Sequence, residues 1–106
     1  MTGENIRLRA RIQLLPASEG GRRSPIHGGA SYRPNHNFFG PDNREMAVGF
    51  IEMPPGTILH PGEAIDLDMT FLHWPWLPSE LHPGREWLIQ EGGQVVGFGR
   101  ILRIVD

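Results

Sequence analysis

The chain has 106 residues, of which ten are basic and twelve acidic, and its net charge at pH 7 is −2. This length fits one domain spanning residues 1–106. The chain has no cysteine, which excludes disulfides and cysteine nucleophiles, and no lysine, which excludes a P-loop lysine and Schiff-base chemistry. It has no apolar run of membrane-spanning length and no signal-peptide core, so we expect a cytoplasmic protein without a membrane partner.

Short apolar stretches separated by glycine and proline follow one another along the chain. Residues 6–15 alternate between apolar and polar side chains, and residues 64–74 repeat the pattern with Asp66 and Asp68 on the outward, solvated face. Further strands are predicted in "REMAVGFIEM", "REWLIQ" and "QVVGFGRILRIV". Five or six such strands predict an all-β protein, an antiparallel barrel or sandwich.

Turn signals lie between these strands. The tetrapeptide "LHPG" occurs at 59–62 and at 81–84, and Pro-Gly suits the two central positions of a type II turn. The second "EGG", which begins at Glu91, suits a tight hairpin.

A basic, glycine-rich stretch occupies residues 19–34 and has three interpretations: a phosphate cradle, a nucleic-acid grip or a plain long turn. It lacks G-x-x-x-x-G-K-[ST], and no helix follows it, so we expect that this chain alone binds no nucleotide. The five histidines form no metal-ligand pair and are predicted in turns or on the surface, and no serine lies in a G-x-S-x-G elbow. These patterns predict a protein that is not an enzyme and needs no metal or cofactor.

The segment "HWPWLP" places Trp74 and Trp76 around a proline. The two indoles could form an exposed aromatic surface for a partner. Alternatively, they could plug one end of a barrel with their N–H groups on backbone carbonyls.

Several segments together carry a family pattern: "EGGRRSP", "YRP", "VGFIEMPPGTILHPGEAIDL", "FLHWP" and "REWLIQEGGQVVGFGRILRIV". In order and spacing they resemble the C-terminal (third) domain of translation elongation factor Tu, over residues 8–105. The resemblance implies a single six-stranded, antiparallel, closed β-barrel. It also implies a role in translation, with contacts to the T-stem backbone of tRNA and to translation factors.

The same resemblance assigns candidate RNA-binding residues one at a time. Arg22 and Arg23 match a basic pair in the first loop, and Asn35 stands where the family has a tRNA-contacting glutamine. The full set of predicted RNA-binding residues is Arg22, Arg23, Arg33, Asn35, His73, Glu91 and Gly92.

This sequence also departs from the family. A GTPase domain is missing and would have to act in trans, and Gln94 replaces an arginine, which removes one phosphate contact. Arg9 and Arg11 stand where the family has glutamates, so contacts with the usual partner domains are expected to change. The polar lead-in after Met1 favours a short stand-alone gene product.

Two functions remain open from the sequence. The first is a non-enzymatic module that binds tRNA, in which arginines converging on one face, including Arg100 and Arg103, could track a phosphate backbone. The alternative is a protein–protein interaction module that mimics the third domain without binding RNA. Its candidate contact residues are Arg9, Arg11, Trp74 and Trp76.

Overall fold

The computed structural model describes residues 4–29, 31–40, 42 and 45–105. Short 3-10 turns lie at Ala17–Glu19 and Pro78–Glu80, and no helix in the described part of the chain has the length and apolarity to span a membrane. The strands are β1 Ile6–Leu14, β2 Ile26–His27, β3 Ser31–Tyr32, β4 Asn35–Asn37, β5 Ala47–Glu52, β6 Ile58–Leu59, β7 Ala64–Phe71, β8 Glu86–Glu91 and β9 Gln94–Val105.

Six strands close into an antiparallel barrel. The ladders run from β1 to β7, β5, β4, β8 and β9, and β9 pairs again with β1. β2 and β6 form a separate two-stranded sheet. The six-stranded closed barrel predicted from the sequence is therefore confirmed, with β3 as an additional strand.

The additional strand β3 lies in line with β4, and both strands pair with β5. Ser31 lies opposite Glu52 and Tyr32 opposite Ile51 on β5, and Asn35 continues this register opposite Val48. The interruption falls at residues 33–34, where Pro34 has no N–H to donate to the ladder. Tyr32 therefore lies past the first residue of β4, close to Glu91, the last residue of β8.

The alternating pattern of the longest strands sorts side chains between core and solvent. On β1 and β7 the inward positions are buried, and the outward ones carry arginine, aspartate and threonine. Asp66 and Asp68 lie on the outward face, as the alternation predicts. They also form ion pairs with arginines of β1, because the register sets each aspartate beside an arginine. The buried set is Leu8, Ala10, Ile12, Leu14, Leu67, Met69 and Phe71.

An aromatic cluster fills the barrel. Phe38 stacks on Trp87 with ring centroids 5.4 Å apart, and Phe71 meets both rings edge-on. His36 joins this cluster with no exposed surface, which contradicts the prediction that every histidine lies in a turn or on the surface. Its burial is possible because Nδ1 accepts a hydrogen bond from Trp87 Nε1 (2.9 Å), and Nε2 lies 3.2 Å from the Gly49 carbonyl.

The predicted turns are confirmed. Gly62 and Gly84 have φ angles of +89° and +88° at the position where a type II turn requires positive φ. In each turn the following residue donates its N–H to the histidine carbonyl three positions earlier, at 3.0 Å. Gly92, with φ +59°, takes the first central position of the β8–β9 hairpin.

Trp74 and Trp76 differ in their surroundings. Trp76 packs against the core, with its ring 6.3 Å from Phe38 and 4.9 Å from Phe39. Trp74 has 58% of its surface exposed. The plug interpretation therefore fits Trp76 and the exposed-surface interpretation fits Trp74. The expected hydrogen bond from Trp76 to a carbonyl is absent, because its buried Nε1 has no partner among the described residues.

Candidate nucleic-acid interface

The basic loop 20–24 lies against the β8–β9 hairpin. Gly21 is buried so close to Leu15 that a Cβ atom there would lie 2.3 Å from the Leu15 carbonyl oxygen. The side-chain amide of Gln94 donates to the Gly20 carbonyl at 2.6 Å. This amide therefore fastens the loop to the hairpin. The glycines serve close packing and a left-handed turn at Gly20 (φ +87°).

One carboxylate joins the loop to the barrel. Glu91, the last residue of β8, accepts hydrogen bonds from the Arg22 guanidinium and from the Tyr32 hydroxyl through the same oxygen. The other guanidinium nitrogens of Arg22 donate to the carbonyl and hydroxyl of Ser24, at 3.2 and 3.3 Å. The Arg22 group also lies 5.4 Å from the centre of the Tyr32 ring. Arg22 is thus held in place, with 20% of its side chain exposed.

This environment changes the acid–base properties of the cluster. Burial and the hydrogen bond to Glu91 raise the pKa of the Tyr32 hydroxyl far above its ordinary value, although the Arg22 charge opposes the change. Burial of the Arg22 guanidinium opposes its charged form, but the pairing with Glu91 outweighs this and raises the pKa of Arg22. At neutral pH the cluster therefore contains a cation, an anion and a neutral phenol.

Two groups of the cluster remain open to a ligand. Arg23 is exposed and has no ion-pair partner in the described part of the chain. Gly92 is exposed, and a Cβ atom there would meet nothing within 4 Å. A free guanidinium can pair with a phosphate, and bare backbone lets a sugar approach closely. Gly21, Arg22, Arg23, Ser24, Glu91 and Gln94 line a shallow groove at this position.

The remaining predicted RNA-binding residues lie outside this groove. Asn35 begins β4 opposite Gln90, one residue before Glu91, and it is exposed. Arg33 lies over the Phe50 ring of β5 at 4.6 Å. His73 follows β7 at the opposite end of the barrel, where β7 pairs with the beginning of β1. The structure therefore brings four predicted residues together and places Asn35 opposite the residue before Glu91. It sets Arg33 over the wall of β5 and separates His73 from the others.

The predicted protein-contact arginines are engaged on the barrel wall. Arg9 Nη1 lies 3.1 Å from Asp68, and Arg11 binds both oxygens of Asp66 at 2.8 and 3.2 Å. The hydrogen bond from Arg11 holds the pKa of the Asp66 carboxyl below its ordinary value. This face is a ladder of charge pairs on the outer surface of β1 and β7.

Tyr32 and Ser24, which hold Arg22 in place, were not among the predicted site residues. A weak signal existed, because Tyr32 is the chain's only tyrosine and directly precedes Arg33. In the described part of the chain, no group of three histidine, aspartate or glutamate side chains is placed to hold a metal ion.

No protein-family model matches this chain. The resemblance to the third domain of elongation factor Tu therefore stays a prediction.

Proposed function

We propose that this chain is a non-enzymatic RNA-binding module of the elongation-factor-Tu third-domain type, acting in the cytoplasm. It would hold the backbone of tRNA or tRNA-like RNA at the loop 20–24 and the β8–β9 turn. The observation that carries the proposal is the bond between Arg22 and Glu91, which lie 69 residues apart in sequence. The exposed Arg23 lines one groove with Glu91, which directly precedes the open backbone at Gly92.

Each residue has a distinct role in this proposal. Arg23 pairs with a phosphate, while Arg22 holds the Glu91 carboxylate in place and adds positive charge behind it. A carboxylate held in this way accepts a hydrogen bond from a ribose 2′-hydroxyl, a group that DNA lacks. Gly92 allows the sugar to come close. Such contacts position a backbone and carry no sequence information.

Titration with tRNA at low salt tests the proposal. We expect weak binding whose logarithm falls linearly with the logarithm of salt concentration. The exposed Arg23→Gln should reduce the magnitude of this slope by about 0.7–0.9, the contribution of one phosphate contact. Trp74→Ala removes a large exposed side chain outside the groove and should leave the binding unchanged.

Two results would contradict the proposal. One is the absence of tRNA binding at high micromolar protein and low salt. The other is equal binding by the native chain and by a variant that combines Arg22→Gln with Arg23→Gln.

A second function, a protein-interaction module that mimics the third domain, is favoured by the exposure of Trp74. This indole is 58% exposed, and the neighbouring Leu72 is also exposed. Aromatic side chains at such positions anchor protein interfaces. Partners of this kind would be translation factors or a GTPase domain supplied in trans.

Capture of partners from a lysate, with and without ribonuclease, separates the two functions. A ribonuclease-resistant partner that is lost on Trp74→Ala, while Arg23→Gln still captures it, would favour the second function. Material that ribonuclease removes, and that Arg23→Gln fails to capture, would favour RNA.

A further inference from the structure

Half of the chain's ten basic residues lie on the outer face of two neighbouring strands. In the register of β1 and β9, Arg9 lies opposite Arg103 and Arg11 opposite Arg100, and Arg7 continues the row. Opposite residues of an antiparallel pair project to the same side, with Cα atoms about 5 Å apart. These five arginines form one double row, the arginine face, made of Arg7, Arg9, Arg11, Arg100 and Arg103.

The carboxylates around the arginine face do not balance its charge. Arg7 and Arg9 share Asp68, at 3.2 and 3.1 Å, and Arg11 binds Asp66. On the other side, only Glu86 of β8 lies opposite Arg100. Glu52 lines the same groove as Arg7 and Arg9, so five arginines face four carboxylates, on a chain whose net charge is −2.

Two arginines of this face are free to bind an anion. Arg100 and Arg103 are both exposed, and neither has an ion pair within the described residues. Like charges directly opposite each other, as at Arg9 and Arg103, destabilise a sheet. A bound anion would remove this repulsion.

The candidate RNA groove lies past one end of the arginine face. β1 ends at Leu14, and the buried Gly21 packs on the next residue, Leu15. Arg22 and Arg23 thus lie beyond the end of β1 that carries Arg11. At about 3.4 Å per residue, the path from Arg7 to Leu15 is about 27 Å long.

We propose that RNA bound in the groove continues along the arginine face, where Arg100 and Arg103 contact further phosphates; this inference rests on the proposed function. The shape of the face favours a linear polyanion, because the band is long, two strands wide and bordered by carboxylates on β7 and β8. A broad acidic protein surface would also cover those carboxylates and would be repelled by them.

The test compares Arg100→Gln/Arg103→Gln with the native chain in titrations with deacylated tRNA over a series of salt concentrations. Loss of two phosphate contacts should lower the magnitude of the salt slope by about 1.4–1.8. The matched variant Arg100→Lys/Arg103→Lys keeps both charges and should keep the native slope. Thermal unfolding of both variants checks that the barrel is intact.

The outcomes separate this inference from the proposed function. If the glutamine variant keeps the native slope while Arg23→Gln lowers it, the groove binds RNA and the arginine face does not. If the native chain binds no tRNA, the proposed function fails and the inference fails with it. An unchanged slope together with loss of a ribonuclease-resistant partner would assign the arginine face to an acidic protein and overturn the inference.

Discussion

At the scale of single residues, Tyr32 reports directly on the Arg22–Glu91 cluster because it is the only tyrosine of the chain. Its pKa is raised by burial and by the hydrogen bond to Glu91. The stability that this group contributes is therefore present below the ordinary pKa of 10.0 and is lost as pH rises toward the folded-state pKa.

An absorbance titration of the phenol tests this. We expect no phenolate to form near pH 10.0 in the native chain, and Glu91→Gln should bring the titration down toward that value because the nearby negative charge is gone. Asp66→Asn removes a carboxylate of the β1–β7 face and should leave the phenol titration unchanged. Ordinary titration of Tyr32 in the native chain would contradict the geometry of the cluster.

His36 links stability to pH through a different mechanism. The Trp87 indole N–H can only donate, so Nδ1 of His36 is unprotonated and the proton lies on Nε2, facing the Gly49 carbonyl. Burial lowers the pKa of His36 from 6.5 to about 4. The unfolded chain therefore takes up a proton between pH 6.5 and 4 that the folded chain does not.

Urea unfolding across this window should show that the free energy of unfolding falls as pH falls. The total loss should be about 3 kcal/mol, because each unit of difference between the folded and unfolded pKa corresponds to 1.36 kcal/mol. The exposed His27→Gln should keep this dependence. His36→Gln retains an acceptor for Trp87 and should be less stable but flat over the same range. An equally steep response in His36→Gln would assign the pH dependence to other groups.

At the scale of elements, Gly93 in the β8–β9 turn and Gly99 on β9 differ in the space available for a side chain. A Cβ atom at Gly99 would lie 2.3 Å from the Trp87 ring, whereas one at Gly93 would meet nothing within 4 Å. Gly99→Ala should therefore destabilise the barrel by about 3 kcal/mol, the upper range for overpacking. Gly93→Ala should stay within about 0.5 kcal/mol. Urea unfolding measures both, and similar values for the two variants would be inconsistent with the packing of Trp87.

The elements that could be predicted from the sequence are those whose apolar residues alternate. The longest strands, β1, β7 and β9, fall within the predicted segments because one face of each is buried. β4 could not be predicted in this way, since "NHN" has no apolar residue, yet His36 and Asn37 are buried. These side chains are satisfied by Trp87 and by Gln90 Oε1, which Asn37 reaches at 2.6 Å. Both partners come from β8, distant in sequence.

The candidate site shows the same limit. The resemblance predicted Arg22, Arg23, Glu91 and Gly92 as site residues, and the fold brings them together. It did not indicate that His73 lies at the other end of the barrel. Nor did it indicate that Arg22 is fixed by Tyr32 and Ser24, because these contacts depend on how β3 extends β4.

At the scale of the whole molecule, closure makes every barrel strand depend on two neighbours. β1, for example, pairs with β7 and with β9, and Arg7 lies opposite Val105. No strand can leave without opening two ladders, so we expect unfolding in a single cooperative transition. Such distant pairings also predict folding in milliseconds to seconds.

Coincidence of two probes tests this cooperativity. In a Trp74→Phe variant, tryptophan fluorescence comes from the packed Trp76 and Trp87 alone. Its urea midpoint should equal that of far-ultraviolet circular dichroism, which reports the strands. Separated midpoints would mean that the aromatic cluster and the sheet unfold independently.

Because Arg7 pairs with Val105, the same barrel could form from a chain that passes through its strands in a different order. The first and last strands are neighbours whose opposite Cα atoms lie about 5 Å apart. A short peptide could join them, and new termini could open in the exposed turn at residues 54–56 without breaking any ladder of the barrel. Such a circular permutant would present the same groove and the same arginine face from a rearranged gene.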